Sequence, residues 1–171
     1  MRRHRDLPKD IKDTLPLERG ERVLAAAPDA SARWCAGTDR ALYLPGDDGA
    51  VVRIPWQQIE HAEWDQDADI LRVTESAPFG EQLPLRVVRL EEPPTRLLSL
   101  IRERVTASVV VSQHVPLRGP LGVRVVARRR PGSDEPMVWS VAFDEGLDPD
   151  VPGVLDAAEG ALAEVRGQVE P

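Results

Sequence analysis

The sequence predicts an α+β fold: a seven-stranded antiparallel barrel or sandwich capped by an amphipathic helix, then a small antiparallel β-plus-helix extension. Three observations carry this. Between residues 21 and 88, short runs of alternating apolar residues recur with Gly, Pro and Asp turns between them, the pattern of a small β unit. From Glu91 the apolar spacing lengthens to the helical period of about 3.6. Beyond residue 111 the same succession, strands and then a helix, recurs on a smaller scale.

The elements follow in order. Residues 6–15 read as a short helix, with Asp6 as its expected N-cap, Pro8 in the first turn, and Leu7, Ile11 and Leu15 four apart. Residues 21–27 form the first expected strand, which Pro28-Asp29 breaks. Residues 32–37 form the second, with Trp34 and Ala36 on one face and Arg33 and Cys35 on the other. In the third, residues 41–44, Leu42 and Leu44 share a face, and Pro45-Gly46-Asp47-Asp48-Gly49 is a strong turn signal. Residues 51–56, 59–64, 69–74 and 82–88 supply four more strands.

Glu91-Glu92-Pro93-Pro94 marks a helix start, and Leu97, Leu98, Ile101, Val105 and Val109 line up as one apolar stripe. The stripe runs into Val109-Val110-Val111, whose β-branching suits a strand equally well. Residues 111–117, 123–129 and 137–143 read as strands, the last placing Met137, Trp139, Val141 and Phe143 on one face. Asp148-Pro149-Asp150 is the expected cap of a final helix with Val151, Val154, Leu155, Ala158, Leu162 and Val165 as its stripe. The chain thus divides into an N-terminal segment (1–20), a β-rich domain (21–111) and an extension (112–171).

Composition bounds the function. With 171 residues, 42% of them hydrophobic, the chain can bury a core. A net charge of −7 argues against general affinity for nucleic acid or anionic membrane. Cys35 is alone, so no intrachain disulfide forms, and a reducing, cytoplasmic setting is expected. Met1-Arg2-Arg3-His4-Arg5-Asp6 is basic, but no apolar stretch of signal-peptide length follows, and no run approaches the roughly 18 apolar residues of a membrane span. Charge is blocked: residues 46–92 hold 11 acids and 4 bases, residues 93–130 hold 1 acid and 8 bases, and residues 131–171 hold 10 acids and 1 base. Such blocks offer complementarity within the fold, across a dimer, or toward a basic partner.

One stretch is familiar. Thr38-Asp39-Arg40-Ala41-Leu42-Tyr43, a turn, then Ile54-Pro55-Trp56-Gln57-Gln58-Ile59 resembles bacterial pleckstrin-homology-like domains, in which a T-[ND]-x-R-[LI] strand precedes an I-P-[YW]-x-x-I strand. Gly20-Glu21-Arg22-Val23-Leu24 matches the G-E-x-[VI]-L opening of such proteins. Arg40 departs from the pattern by following Asp39 directly. The resemblance covers about residues 20–111 and implies seven strands followed by a helix, in an interaction or assembly module. Eukaryotic relatives of the fold bind phosphoinositides through basic residues in the loop joining the first two strands. Here that loop, Pro28-Asp29-Ala30-Ser31-Ala32-Arg33, has one Arg beside one Asp, too few donors for a multiply charged headgroup.

Few groups invite chemistry. Asp65-Gln66-Asp67-Ala68-Asp69 begins like a calcium loop but has Ile70 where Gly is needed and Ser76 where a bidentate Glu is needed, so it reads as an acidic turn. Neither His61 nor His114 has metal-site spacing, Cys35 reads as a packed thiol, and Gly119-Pro120-Leu121-Gly122 lacks the spacing and the Lys of a phosphate loop. No cofactor is expected. Arg124, Arg128 and Arg130 fall on one face of a strand, with Arg129 and Arg118 near, and form the one basic patch that could take an anion; Trp139 is the candidate aromatic anchor beside it. The leading expectation is a non-catalytic interaction or assembly module with a protein partner or self-association. An anion binder using that patch is the alternative, and an enzyme with an unrecognised site comes third.

Overall fold

The computed structural model describes residues 6–170. Met1 to Arg5, the basic start of the chain, lie outside the described residues. A short helix α1 (Lys9–Thr14) precedes an antiparallel sheet of β1 (Val23–Pro28), β2 (Trp34–Thr38), β3 (Ala41–Pro45) and β4 (Val51–Pro55), in that spatial order. A single 3-10 turn (Trp56–Gln58) leads into a second sheet, β5 (Ile59–Asp65), β6 (Ile70–Glu75) and β7 (Leu85–Arg89). Helix α2 (Thr95–Ala107) follows, then β8 (Val109–Arg118), β9 (Leu121–Arg128) and β10 (Val138–Phe143) in a third sheet ordered β10-β9-β8, and finally α3 (Val154–Val169). All strand pairing is antiparallel. Among the described residues the fold is α+β with three sheets and three helices, and the first seven strands do not close into a barrel. Among the described residues one isolated bridge, Asp29 to Leu90, joins the first two sheets.

Alternation sorts the side chains as expected. Leu42, Leu44, Ile54, Cys35 and Ala27 from the first sheet meet Ile59, Leu71, Val73 and Val88 from the second, with Leu97, Leu100 and Ile101 of α2 and the fully buried Trp56 closing the core. The opposite face of the first sheet packs Ala36, Ala41 and Tyr43 under Leu15, Leu7 and Leu17, which is why so short a helix as α1 stays docked. Gly37 lets α2 approach: a Cβ there would stand 2.6 Å from Leu100 Cδ2 and 3.2 Å from Leu97 Cδ1. Gly37→Ala should cost about 1–2 kcal/mol, read as a lower urea midpoint, because the leucine tips must move inside a filled core.

Several expected boundaries shift. Asp6 does not cap α1; Pro8 stands at the N-cap position and no side chain bonds there. The last Val of the α2 stripe, Val109, belongs to β8 and is 37% exposed, while Leu100 is buried in its place. The third sheet therefore starts at Val109, so a division at 111/112 falls inside β8. Asp148-Pro149-Asp150 precedes α3 by several residues, and Gly153, in the left-handed region at φ 86°, sets the start of that helix. Val151 and Leu155 consequently face outward, and Val154, Ala158, Ala161 and Val165 form the buried stripe against Val123 and Val125 of β9.

The extension is seated on the rest of the chain. Phe79, from the loop between β6 and β7, packs against the β9–α3 core, and Gln57 bonds Glu135 at 3.5 Å. No helix among the described residues is long and apolar enough to cross a membrane.

Candidate functional site

The residues of the family-like stretch form a polar network inside the first sheet. Thr38 Oγ1 accepts the N–H groups of Arg40 (3.0 Å) and Ala41 (2.9 Å) and donates to Glu21, while the Thr38 carbonyl accepts the Trp56 indole N–H at 2.9 Å. Glu21, whose side chain has no exposed surface, also accepts from the Glu18 N–H (2.8 Å) and the Tyr43 hydroxyl (2.9 Å), and lies 3.5 Å from the Arg53 guanidinium. Burial alone would push the Glu21 carboxyl up. The bonds from Thr38, Glu18 and Tyr43 and the charge of Arg53 outweigh it and hold the carboxyl below its ordinary value. Burial likewise pushes the Tyr43 hydroxyl up to about 12. The Thr38, Glu21, Tyr43 and Trp56 groups all serve to hold strands and turns together, so this network reads as scaffold.

A more open feature lies between the second sheet and α2. β5 is an edge strand of its sheet, and between it and α2 runs a cleft of about 490 Å³. Its walls are Glu60 to Trp64 on one side and Leu98, Ile101, Arg102, Val105 and Thr106 on the other, with Leu71 in the floor. Trp64 is half-buried there, and Leu98 and Val105 are only partly covered. Apolar floor, an aromatic wall and charged rims of both signs are what a groove for an extended chain presents.

Arg128 ties the two walls of this cleft together. Its Nη2 donates to the Glu60 carbonyl of β5 (3.1 Å), and its Nη1 donates to the Val105 carbonyl (3.2 Å) and Ser108 Oγ (3.4 Å) at the end of α2. The residue is 8% exposed, and burial pulls the guanidinium pKa down against the opposing charge of Glu60. Arg128 Nε and Glu60 Oε1 are buried without a protein partner among the described residues, so this corner retains unused hydrogen-bonding capacity.

The basic patch expected from the sequence is not assembled. The strand ends at Arg128, which turns inward, and Arg130 lies beyond it and pairs with Glu135 at 3.1 Å. Arg124 is exposed and donates to Ser112 Oγ (3.2 Å); Arg118 donates to the Pro152 carbonyl (3.0 Å); Arg129 uses its N–H on Ser108. Alternation had placed Arg124, Arg128 and Arg130 on one face, but that face is covered by β5 and α2 at the Arg128 end. Trp139 is half-buried against the β9–α3 core, its indole N–H buried without a partner among the described residues.

The remaining candidates are structural. In the loop joining the first two strands, the one arginine, Arg33, is tied to Asp29 at 2.8 Å. Asp65 closes its own turn, accepting from the Asp67 and Ala68 N–H groups and from Arg72. Cys35 is fully buried, and burial pushes its thiol to about 12, so it stays protonated. His114 meets Asp144 at 2.7 Å, and Asp144 also accepts the Gly122 N–H. Among the described residues the imidazole's side-chain bond is to Asp144, and no hydroxyl or thiol bonds it. No group of three or more metal-ligating side chains is gathered among them either. The cleft was missed in the sequence because its walls, residues 60–64 and 98–106, lie far apart in the chain.

Comparison with protein-family models, with curated proteins and with solved structures finds no match to this chain.

Proposed function

We propose that the chain is a non-catalytic interaction module on a pleckstrin-homology-like scaffold, working in the cytoplasm, and that its β5–α2 cleft takes an extended peptide segment as an added strand. The observation that carries this reading is the sheet edge at β5 set against a cleft with an apolar floor, charged rims and a half-buried tryptophan. An edge strand supplies main-chain bonds and the groove supplies pockets for alternate side chains. The order of four strands, three strands and a helix supports the scaffold assignment, since it follows the order that the resemblance implies. The lone buried thiol supports the reducing compartment.

A random peptide library selected on the purified protein provides the test. Selected peptides should slow amide exchange in β5, and Trp64→Ala should weaken them by about 2 kcal/mol, roughly thirtyfold, as the loss of an aromatic anchor does. A library that yields no binder, or binders that leave β5 exchange unchanged, would overturn the proposal.

A further inference from the structure

The second sheet has another edge, and we infer that β7 pairs with the β7 of a second copy of the chain. The argument begins with main-chain direction. The Glu75 N–H bonds the Pro84 carbonyl and the Leu90 N–H bonds the Asp69 carbonyl, each at 2.9 Å, so even-numbered residues of this segment aim their main-chain groups at β6. Odd-numbered residues aim theirs outward, as the Arg89 carbonyl does in accepting the Ala30 N–H at 2.9 Å. Leu85 and Val87 therefore present a free outward edge, which Leu83 extends by the same alternation. Pro84, with no N–H, falls on the β6-facing set and removes no donor from that edge.

The side chains say what covers it. Glu81, Leu83, Leu85, Val87 and Arg89 read acid, apolar, apolar, apolar, base at alternate positions, and all five are exposed. The three apolar residues are 42%, 56% and 53% exposed, a liability on an edge strand left alone. This pattern is complementary to its own reverse. In an antiparallel pair centred on Leu85, Leu85 faces Leu85 of the second copy, Leu83 faces its Val87, and Glu81 lies toward its Arg89. Neither Glu81 nor Arg89 has an ion-pair partner within the chain among the described residues. The Ala30 bond to Arg89 confines the new ladder to residues 83–87, so the charged pairs flank it through side chains alone. The pairing is twofold and consumes the edge, giving a closed dimer and no filament.

Sedimentation velocity of the full chain, run up to millimolar concentration, tests this. A concentration-dependent species of twice the 18.9 kDa chain is expected. Arg89→Glu alone should weaken the dimer about tenfold, Glu81→Arg alone about as much, and the two together should restore it. Leu85→Lys, which sets two lysines directly opposite each other, should leave a monomer with unchanged circular dichroism. Trp64→Ala, on the far edge of the sheet, should leave the dimer intact. A chain that stays monomeric throughout would overturn the inference, as would a dimer indifferent to Leu85→Lys or a double reversal no tighter than the singles. A strand from another protein as the occupant would show as that first outcome.

Discussion

Glu21→Ala should lower the free energy of unfolding by about 3 kcal/mol, measured by urea denaturation with tryptophan fluorescence. The substitution leaves the Glu18 N–H without its acceptor, takes the carboxylate away from the Thr38 and Tyr43 hydroxyls, and removes one of the two carboxylates facing Arg53; the Tyr43 hydroxyl keeps only the longer bond to the Pro16 carbonyl as a donor. The guanidinium is 23% exposed and keeps Glu18 and Tyr43, which places the loss toward the low end for a broken buried pair. The pH dependence has a definite sign. The folded carboxyl titrates below its ordinary value of 4.5, so its stabilisation is fully present above that pH and is lost as pH falls through the lower folded value. Glu21→Gln, which cannot titrate, should show a shallower acid limb than the parent chain. Parallel stability curves below pH 4.5 would show that another group carries the acid sensitivity.

Arg128→Met is the second large effect, about 2–3 kcal/mol in the same measurement. Methionine keeps most of the apolar stem but withdraws the donors from Glu60, Val105 and Ser108, two of them main-chain carbonyls at the junction of β5, α2 and β9. Amide exchange should speed up around Ser108 and along β5 while the first sheet is unaffected. A loss below about 0.5 kcal/mol, the scale of ordinary surface changes, would mean that the three bonds contribute nothing net.

Local patterns were legible where neighbours in sequence are neighbours in space. Leu42 and Leu44 share a buried face as their alternation required, and Pro45 to Gly49 turns the chain as its composition required. Leu97 and Ile101 lie on the buried face of α2. Where α2 gives way to β8 the chain carries no Gly or Pro, so Val109 continued the helical count although its backbone is already extended. At α3 the Asp148-Pro149-Asp150 segment looked like a cap, but the helix starts only after Gly153, several residues further on. The fate of the arginines was beyond local reading. Alternation can say that Arg124 and Arg128 share a face of β9; only the arrival of Glu60 and Val105, far back in the chain, makes one a surface residue and the other a buried clamp. The cleft was hidden for the same reason, since β5 and α2 meet across β6 and β7.

The clamp makes the width of the cleft and the seating of the third sheet a single mechanical variable. Arg128 belongs to β9, yet its acceptors are one wall of the cleft and the end of the other. Whatever spreads β5 from α2 must stretch those bonds and loosen the extension, and whatever loosens the extension must alter what the cleft can hold. Thermodynamic linkage makes the two influences equal in size. The last third of the chain is thereby tied, through Arg128, to the geometry of the cleft in the domain that precedes it.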